Sequence, residues 1–283
     1  MKTLSRRETL AAAAALPTVL HAQPATPLIA FVSGEQEYSS ETTLQLLAGE
    51  LARKFGFRTL FRRTLPDQNR LDDLPGIEAI DQADLVVLYF RWLQLPEAQL
   101  QPLARLVESG RPVLGFRTTT HAFNYPKGHP LESWNAFGSR ALGSPPGWGN
   151  GHTHYGHDSS TDVTILPDAR RHPILSGVQP SFHVRSWLYH VVPNFPPKDA
   201  VQLLQGVSVK PDKPAVPNPV AWTWKRPSGG LSFCTTMGHP EDFGVEPFQR
   251  MVVNAVHWLL KMPVPKEWPG RLDINVPYRG FVK

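Results

Sequence analysis

The chemistry most readily drawn from this chain starts at Arg117-Thr118-Thr119-Thr120-His121, directly after the apolar run 112–116. A guanidinium presents a fork of N–H donors, and a helix starting here would aim unpaired backbone N–H groups into the same space. That combination suits a carboxylate, a phosphate or sugar hydroxyls. Gly115 removes side-chain bulk where a sharp turn would crowd the backbone. A second reading stays open, in which Arg117 pairs with an acid and pins the turn. His121 follows three polar residues and is expected beside the site rather than in the core.

A second candidate is His239, on a Gly-His-Pro turn with Glu241 and Asp242 close behind. With either carboxylate orienting one ring nitrogen, the other can move a proton near neutral pH. The plain alternative is a turn histidine bonded to backbone. A third candidate is His152-Thr153-His154-Tyr155-Gly156-His157-Asp158, which offers three imidazoles and a carboxylate to zinc or another divalent ion. An extended His-x-His places both rings on one face, but there is no C-x-x-C or H-E-x-x-H frame. A polar loop with surface histidines explains it equally, His157 and Asp158 can instead touch substrate, and the sequence requires no cofactor. Trp134, Trp148, Trp187, Trp222 and Trp224 can stack on the C–H faces of sugar rings, although packing must account for most of the eight tryptophans.

These residues need a scaffold, and the first half of the chain supplies one. Residues 28–32 form a short apolar run of strand formers ending at Ser33-Gly34. Leu44, Leu47, Leu51 and Phe55 then recur at helical spacing, with start signals at Ser40 and Glu41 and a stop at Gly56. Strands follow at 57–61 and 84–90, the latter continuously apolar, as when both sheet faces are covered. Pro96 opens a helix closed by Gly110, and 112–116 is the fourth strand. This order predicts an α/β, flavodoxin-like doubly wound and mainly parallel sheet with right-handed crossovers. Ligands of such sheets bind at the carboxyl ends of the strands. Periodicity then collapses between 123 and 162, densest in Gly, Pro, Trp and His at 143–158, as in functional loops. Strand-like pieces return at 163–166, 182–189, 201–207, 220–224 and 231–235, and a final amphipathic helix spans 245–260.

The bulk numbers fit one large domain with long loops: 41% hydrophobic residues over 283, with 29 prolines. Residues 1–25 read as an export signal, with Ser5-Arg6-Arg7-Glu8-Thr9-Leu10 before a short apolar run. The paired arginines resemble a twin-arginine signal, which implies the twin-arginine export machinery as a partner and a periplasmic or secreted mature protein. The domain is expected over 26–262, with 263–283 an irregular tail packed back through Trp268, Tyr278 and Phe281. The formal charge of +5 is scattered and includes Lys2, Arg6 and Arg7 of the signal, so no nucleic-acid partner is expected, nor a membrane once the signal is removed. The single Cys234 rules out an intramolecular disulfide.

Six stretches together resemble one family. They are the first strand ending in Ser33-Gly34; Arg117-Thr118-Thr119-Thr120-His121-Ala122-Phe123; His172-Pro173-Ile174 before Gly177; Trp187-Leu188-Tyr189-His190; Pro219-Val220-Ala221-Trp222-Thr223; and Thr235-Thr236-Met237-Gly238-His239-Pro240. Their order is similar to that of the trehalose-utilisation, or ThuA-like, family, whose fold resembles class I glutamine amidotransferases. The resemblance implies carbohydrate catabolism on a sugar or keto-sugar glycoside. It also implies His239, Glu241 and Asp242 as the catalytic group and Ser33, Gly34, Arg117, Thr118, His121, Trp187, Tyr189 and His190 as the substrate-binding group. Amidotransferases carry a cysteine nucleophile at the strand-four turn; here that position falls at about Arg117, and Cys234 lies within a late apolar strand. A guanidinium stays protonated at any working pH, which excludes glutamine hydrolysis by the usual route. Two alternatives remain: a non-catalytic saccharide- or partner-binding protein, and a metal-dependent hydrolase using His152, His154 and His157.

Overall fold

In the computed structural model, residues 26–64, 70–149 and 151–280 are described. The signal-like segment and Phe281 therefore lie outside the described residues. The elements run β1 (Leu28–Gly34), α1 (Ser40–Phe55), β2 (Arg58–Arg63), β3 (Leu85–Phe90), α2 (Glu97–Glu108), β4 (Val113–Phe116), α3 (Phe137–Leu142), β5 (Thr153–His154), β6 (Ser160–Ile165), β7 (Ser181–Val184), β8 (Tyr189–His190), β9 (Val201–Val209), β10 (Asn218–Lys225), β11 (Leu231–Thr235) and α4 (Glu246–Leu259).

The main sheet has nine strands in the order β2-β1-β3-β4-β11-β10-β9-β6-β7, and β5 pairs with β8 in a separate ribbon. From β2 to β11 the pairing is parallel. From β11 to β7 it is antiparallel. The parallel part has the doubly wound order 2-1-3-4-5 with β11 in fifth place, as the strand-helix alternation predicts. The strand-like piece at 182–189 is broken, because residues 185–188 leave the ladder between β7 and β8.

Side-chain alternation along β1 divides the core. Ile29 and Phe31 join Leu44, Leu47 and Leu51 of α1 and Phe248 and Val252 of α4, while Ala30 and Val32 join Leu100 and Leu103 of α2 and Ala141 of α3. Gly56 ends α1 in the left-handed region, φ 74°, its N–H returning to the Ala52 carbonyl. Gly115 has a different task from the one its turn suggested: a Cβ there would collide with Leu142 of α3. Among the described residues no helix is long and apolar enough to cross a membrane.

The start of α1 depends on a residue with no local helix signal. Ser39 makes no side-chain cap; instead the buried Glu35 carboxylate accepts from the N–H groups of Glu37, Tyr38 and Ser40 at 2.5, 2.7 and 2.8 Å. Burial pushes this carboxyl's pKa up, and the same hydrogen bonds oppose the rise. Glu35→Ala strands three donors, and urea denaturation is expected to register a loss of about 2–3 kcal/mol.

Candidate functional site

A crevice opens at the carboxyl ends of the parallel strands, where the strand order reverses between β1 and β3. Its cavity of about 250 Å³ is lined by Glu37 and Tyr38 after β1, Arg91 and Trp92 after β3, and His121 after β4, with Trp148, His154, His157 and Trp187 from the long loops. This is the position at which doubly wound sheets hold ligands. The turns are tied together: Trp92 N–H donates to the His121 carbonyl at 3.2 Å and Leu93 N–H to that of Ala122 at 2.8 Å. Trp92 adopts φ 54° and Arg117 φ 41°, left-handed conformations unusual for large side chains and concentrated at functional turns.

Its walls are aromatic, with charge and imidazole between them. Arg91 Nε lies 3.3 Å from Glu37 Oε2, both side chains being buried, and the Arg91 guanidinium stacks 3.5 Å over Trp92. The Trp148 ring packs 4.4 Å from His121 and 5.8 Å from His154; His154 and His157 meet edge to face at 4.4 Å. Burial, with His157, Arg117 and Lys213 adding to it, lowers the His154 pKa to about 4, so this ring is neutral near pH 7. His121 is held well below 6.5 by burial first, then by His152, Arg91, Arg117 and His154.

Arg117 lies behind this wall, not on it. Its guanidinium is fully buried, 4.6 Å from each of the Tyr38, Trp187 and Tyr189 rings. Nη1 donates to the carbonyls of Thr236 at 2.9 Å and Trp187 at 3.4 Å, while Nε and Nη2 have no hydrogen-bond partner. Thr118 Oγ1 and His239 Nε2 are likewise buried and unpartnered. Among the described residues no carboxylate forms an ion pair with Arg117, and an aromatic cage surrounds it instead.

His239 meets Arg117 but is shut off from solvent. Gly238 reaches φ 143°, and a Cβ there would stand 3.3 Å from Arg117 Cβ. The His239 ring is 0% exposed, packed 4.4 Å from Tyr278 of the tail, 5.9 Å from Trp187 and 6.1 Å from Tyr38. The expected acid partners do not orient it. Nδ1 accepts the Glu241 backbone N–H at 3.3 Å, and the Glu241 side chain is exposed. Asp242 is buried and clamps the turn: its carboxylate accepts from Ser186 N–H and Oγ at 3.0 and 2.5 Å, and from the Gly238 and His239 N–H groups at 2.9 and 3.1 Å. Burial, reinforced by Arg117 and Arg185, lowers the His239 pKa to about 3. Of the expected group His239, Glu241 and Asp242, the ring is thus neutral at working pH with Nδ1 accepting a backbone N–H, and neither carboxylate orients it.

Of the residues expected to bind substrate, His121 and Trp187 line the crevice. Ser33 Oγ instead bonds Ser40 Oγ at 2.6 Å, and Gly34 makes room for Leu93, which a Cβ would meet at 3.0 Å. Thr118 is buried, and Tyr189 sits behind Trp148 and His121, with burial raising its pKa to about 12. His190 bonds the Tyr155 hydroxyl at 2.7 Å and borders a separate pocket beside Pro193 and Phe195. The three imidazoles of the proposed metal set also part company: His152 is engaged by Gly147 and Thr120, whereas His154 and His157 face the crevice. Among the described residues no group of three or more His, Cys, Asp or Glu side chains could hold a metal ion. Glu37, Tyr38, Arg91 and Trp92 were not singled out from the sequence, although each stands just past an apolar strand end, the position that could have marked them.

Comparison with known proteins agrees with this architecture. The structure is similar to a ThuA-like protein from Parabacteroides merdae, with 16% identity, TM-score 0.61 and coverage of 90% of this chain and 98% of that one. It also resembles a ThuA-like protein from Bacteroides uniformis, with 18% identity, TM-score 0.54 and coverage of 85% and 94%. No curated protein matches the sequence. The family model described as ThuA, trehalose utilisation, matches residues 32–259, which contain every wall of the crevice, and the chain therefore belongs to the ThuA family.

Proposed function

We propose that this protein is exported and acts in carbohydrate catabolism, taking a sugar or keto-sugar glycoside into the crevice between the β1, β3 and β4 turns. The observation that supports this is the make-up of the walls: Tyr38, Trp92, Trp148 and Trp187 surround a polar set of Glu37, Arg91, His121, His154 and His157. Aromatic faces pack on sugar C–H surfaces, and a few convergent polar groups select the hydroxyl pattern. A cavity of about 250 Å³ has room for one sugar ring. At neutral pH the uncharged His154, whose Nδ1 accepts the Gly156 N–H at 3.0 Å, offers its Nε2–H, while Glu37 and Arg91 provide an acceptor and a donor.

The test is a thermal-shift screen against disaccharides and their 3-keto derivatives, followed by turnover assays of those that bind. A binding saccharide should raise Tm, and Trp148→Ala should weaken its affinity about tenfold, the size of one aromatic contact. If no saccharide or keto-saccharide shifts Tm, the proposal fails. Isolation of His239 from solvent favours a second reading, a binder without turnover; saccharide binding with no product formed would establish it. Export through the twin-arginine route predicts that replacing Arg6 and Arg7 by lysine keeps the protein in the cytoplasm, read by cell fractionation.

A further inference from the structure

A buried hydrogen-bonded chain runs behind His121, away from the crevice. His152 is buried, and its Nδ1 lies 2.6 Å from the Gly147 carbonyl oxygen. A carbonyl only accepts, so Nδ1 carries the proton. Burial lowers the His152 pKa to about 4, the ring is neutral, and Nε2 is a bare acceptor 3.3 Å from Thr120 Oγ1. The Thr120 hydroxyl has one proton and three neighbours: His152 Nε2, the Arg117 carbonyl at 3.1 Å and His121 Nδ1 at 3.0 Å.

Two acceptors compete for that proton: the Arg117 carbonyl, to which Thr120 Oγ1 donates at 3.1 Å within the 3₁₀ turn Arg117–His121, and His152 Nε2, which has no other donor among the described residues. With the Thr120 proton on either of them, Thr120 Oγ1 accepts from His121 Nδ1–H. A neutral imidazole holds one proton, so His121 Nε2 is left as a lone pair on the ring that lines the crevice.

We propose that His121 is the proton acceptor of the crevice, with Thr120 and His152 as positioning residues that fix its tautomer through the Gly147 carbonyl. This rests on the sugar-site reading above. In the step, an O–H of the bound sugar or of water gives its proton to Nε2, the electron pair stays on that oxygen, and the imidazolium keeps its Nδ1–H on Thr120. The groups facing His121 come from every neighbouring segment: Arg91 and Trp92 after β3, Arg117 on its own turn, Trp148 and His152 from the long loop, His154 on β5 and Tyr189 on β8. Glu37 enters the same crevice paired with Arg91. Burial first, then His152, Arg91, Arg117 and His154, keeps His121 uncharged at working pH, so that Nε2 presents a lone pair rather than a proton.

Long-range ¹H–¹⁵N spectra of the histidine rings on the full chain at pH 7.5 test the tautomer without any ligand. The expected result is the Nδ1–H form at both His121 and His152, opposite to the form free histidine prefers. Thr120→Val should release His121 from that form and Thr120→Ser should retain it. Wild-type His121 in the Nε2–H form, or an unchanged tautomer in Thr120→Val, overturns the proposal; should Thr120→Val not fold, the wild-type spectrum decides alone. On a saccharide found by thermal shift, His121→Ala should lower kcat about 100-fold. Thr120→Val should lower kcat with little change in KM, and Thr120→Ser should restore it. Full turnover in His121→Ala overturns the acceptor role. Absence of any binding saccharide sinks the sugar-site reading, while the spectra still judge the relay.

Discussion

Arg117→Ala is expected to destabilise the protein by about 3–5 kcal/mol and Arg117→Met by much less. The guanidinium is fully buried against Tyr38, Trp187 and Tyr189, with two of its nitrogens unpartnered. Alanine opens a void between three rings and leaves the Thr236 and Trp187 carbonyls without their donor. Methionine loses the same two hydrogen bonds but fills the void and removes a buried charge whose remaining donors have no acceptor. Urea denaturation of both variants decides the matter. Equal losses would mean that the two carbonyl bonds, rather than the filled cage and the buried charge, dominate this site.

Stability should fall steeply as the pH drops below about 6.5. Burial lowers the His239 pKa to about 3, with Arg117 and Arg185 adding to it, and lowers that of His152 to about 4, with His190 adding and the Gly147 bond opposing. In the unfolded chain both rings titrate near 6.5, so between these values the unfolded state holds more protons than the folded one. The stabilisation is complete above about pH 6.5 and is lost on acidification, at about 1.4 kcal/mol per pH unit for each ring. At pH 5 the two rings together cost about 4 kcal/mol, much of the ~5–15 kcal/mol a folded domain typically has. Urea midpoints at pH 7.5, 6 and 5 measure this directly. His239→Asn should flatten part of the slope, and a wild-type midpoint independent of pH over that range would contradict the burial of uncharged rings.

The scaffold was legible because its signals are local. Leu44, Leu47 and Leu51 mark the face of α1, Gly56 its end, and the apolar runs before residue 117 the central strands; all follow from backbone period and glycine geometry. The residue types at the sheet's edge were legible too: the β4 turn carries Arg117, and the buried Cys234 lies in β11. The site was legible only in part. Trp148 and the histidine-rich loop stood out by composition, whereas Glu37 and Arg91 resemble ordinary surface charges until β1 and β3 bring them together.

The sequence by itself determined the alternation of strands and helices, the carboxyl edge at which doubly wound sheets hold ligands and the absence of a cysteine from the β4 turn on that edge. These depend on side-chain period and residue type along short stretches. Only the tertiary structure decided that Tyr278 of the tail covers His239, that Asp242 holds a turn instead of an imidazole, and that His121 reaches the crevice with Thr120 and His152 behind it. Each of these depends on groups distant in the chain meeting within a few ångströms, and short-range pattern carries no record of such encounters.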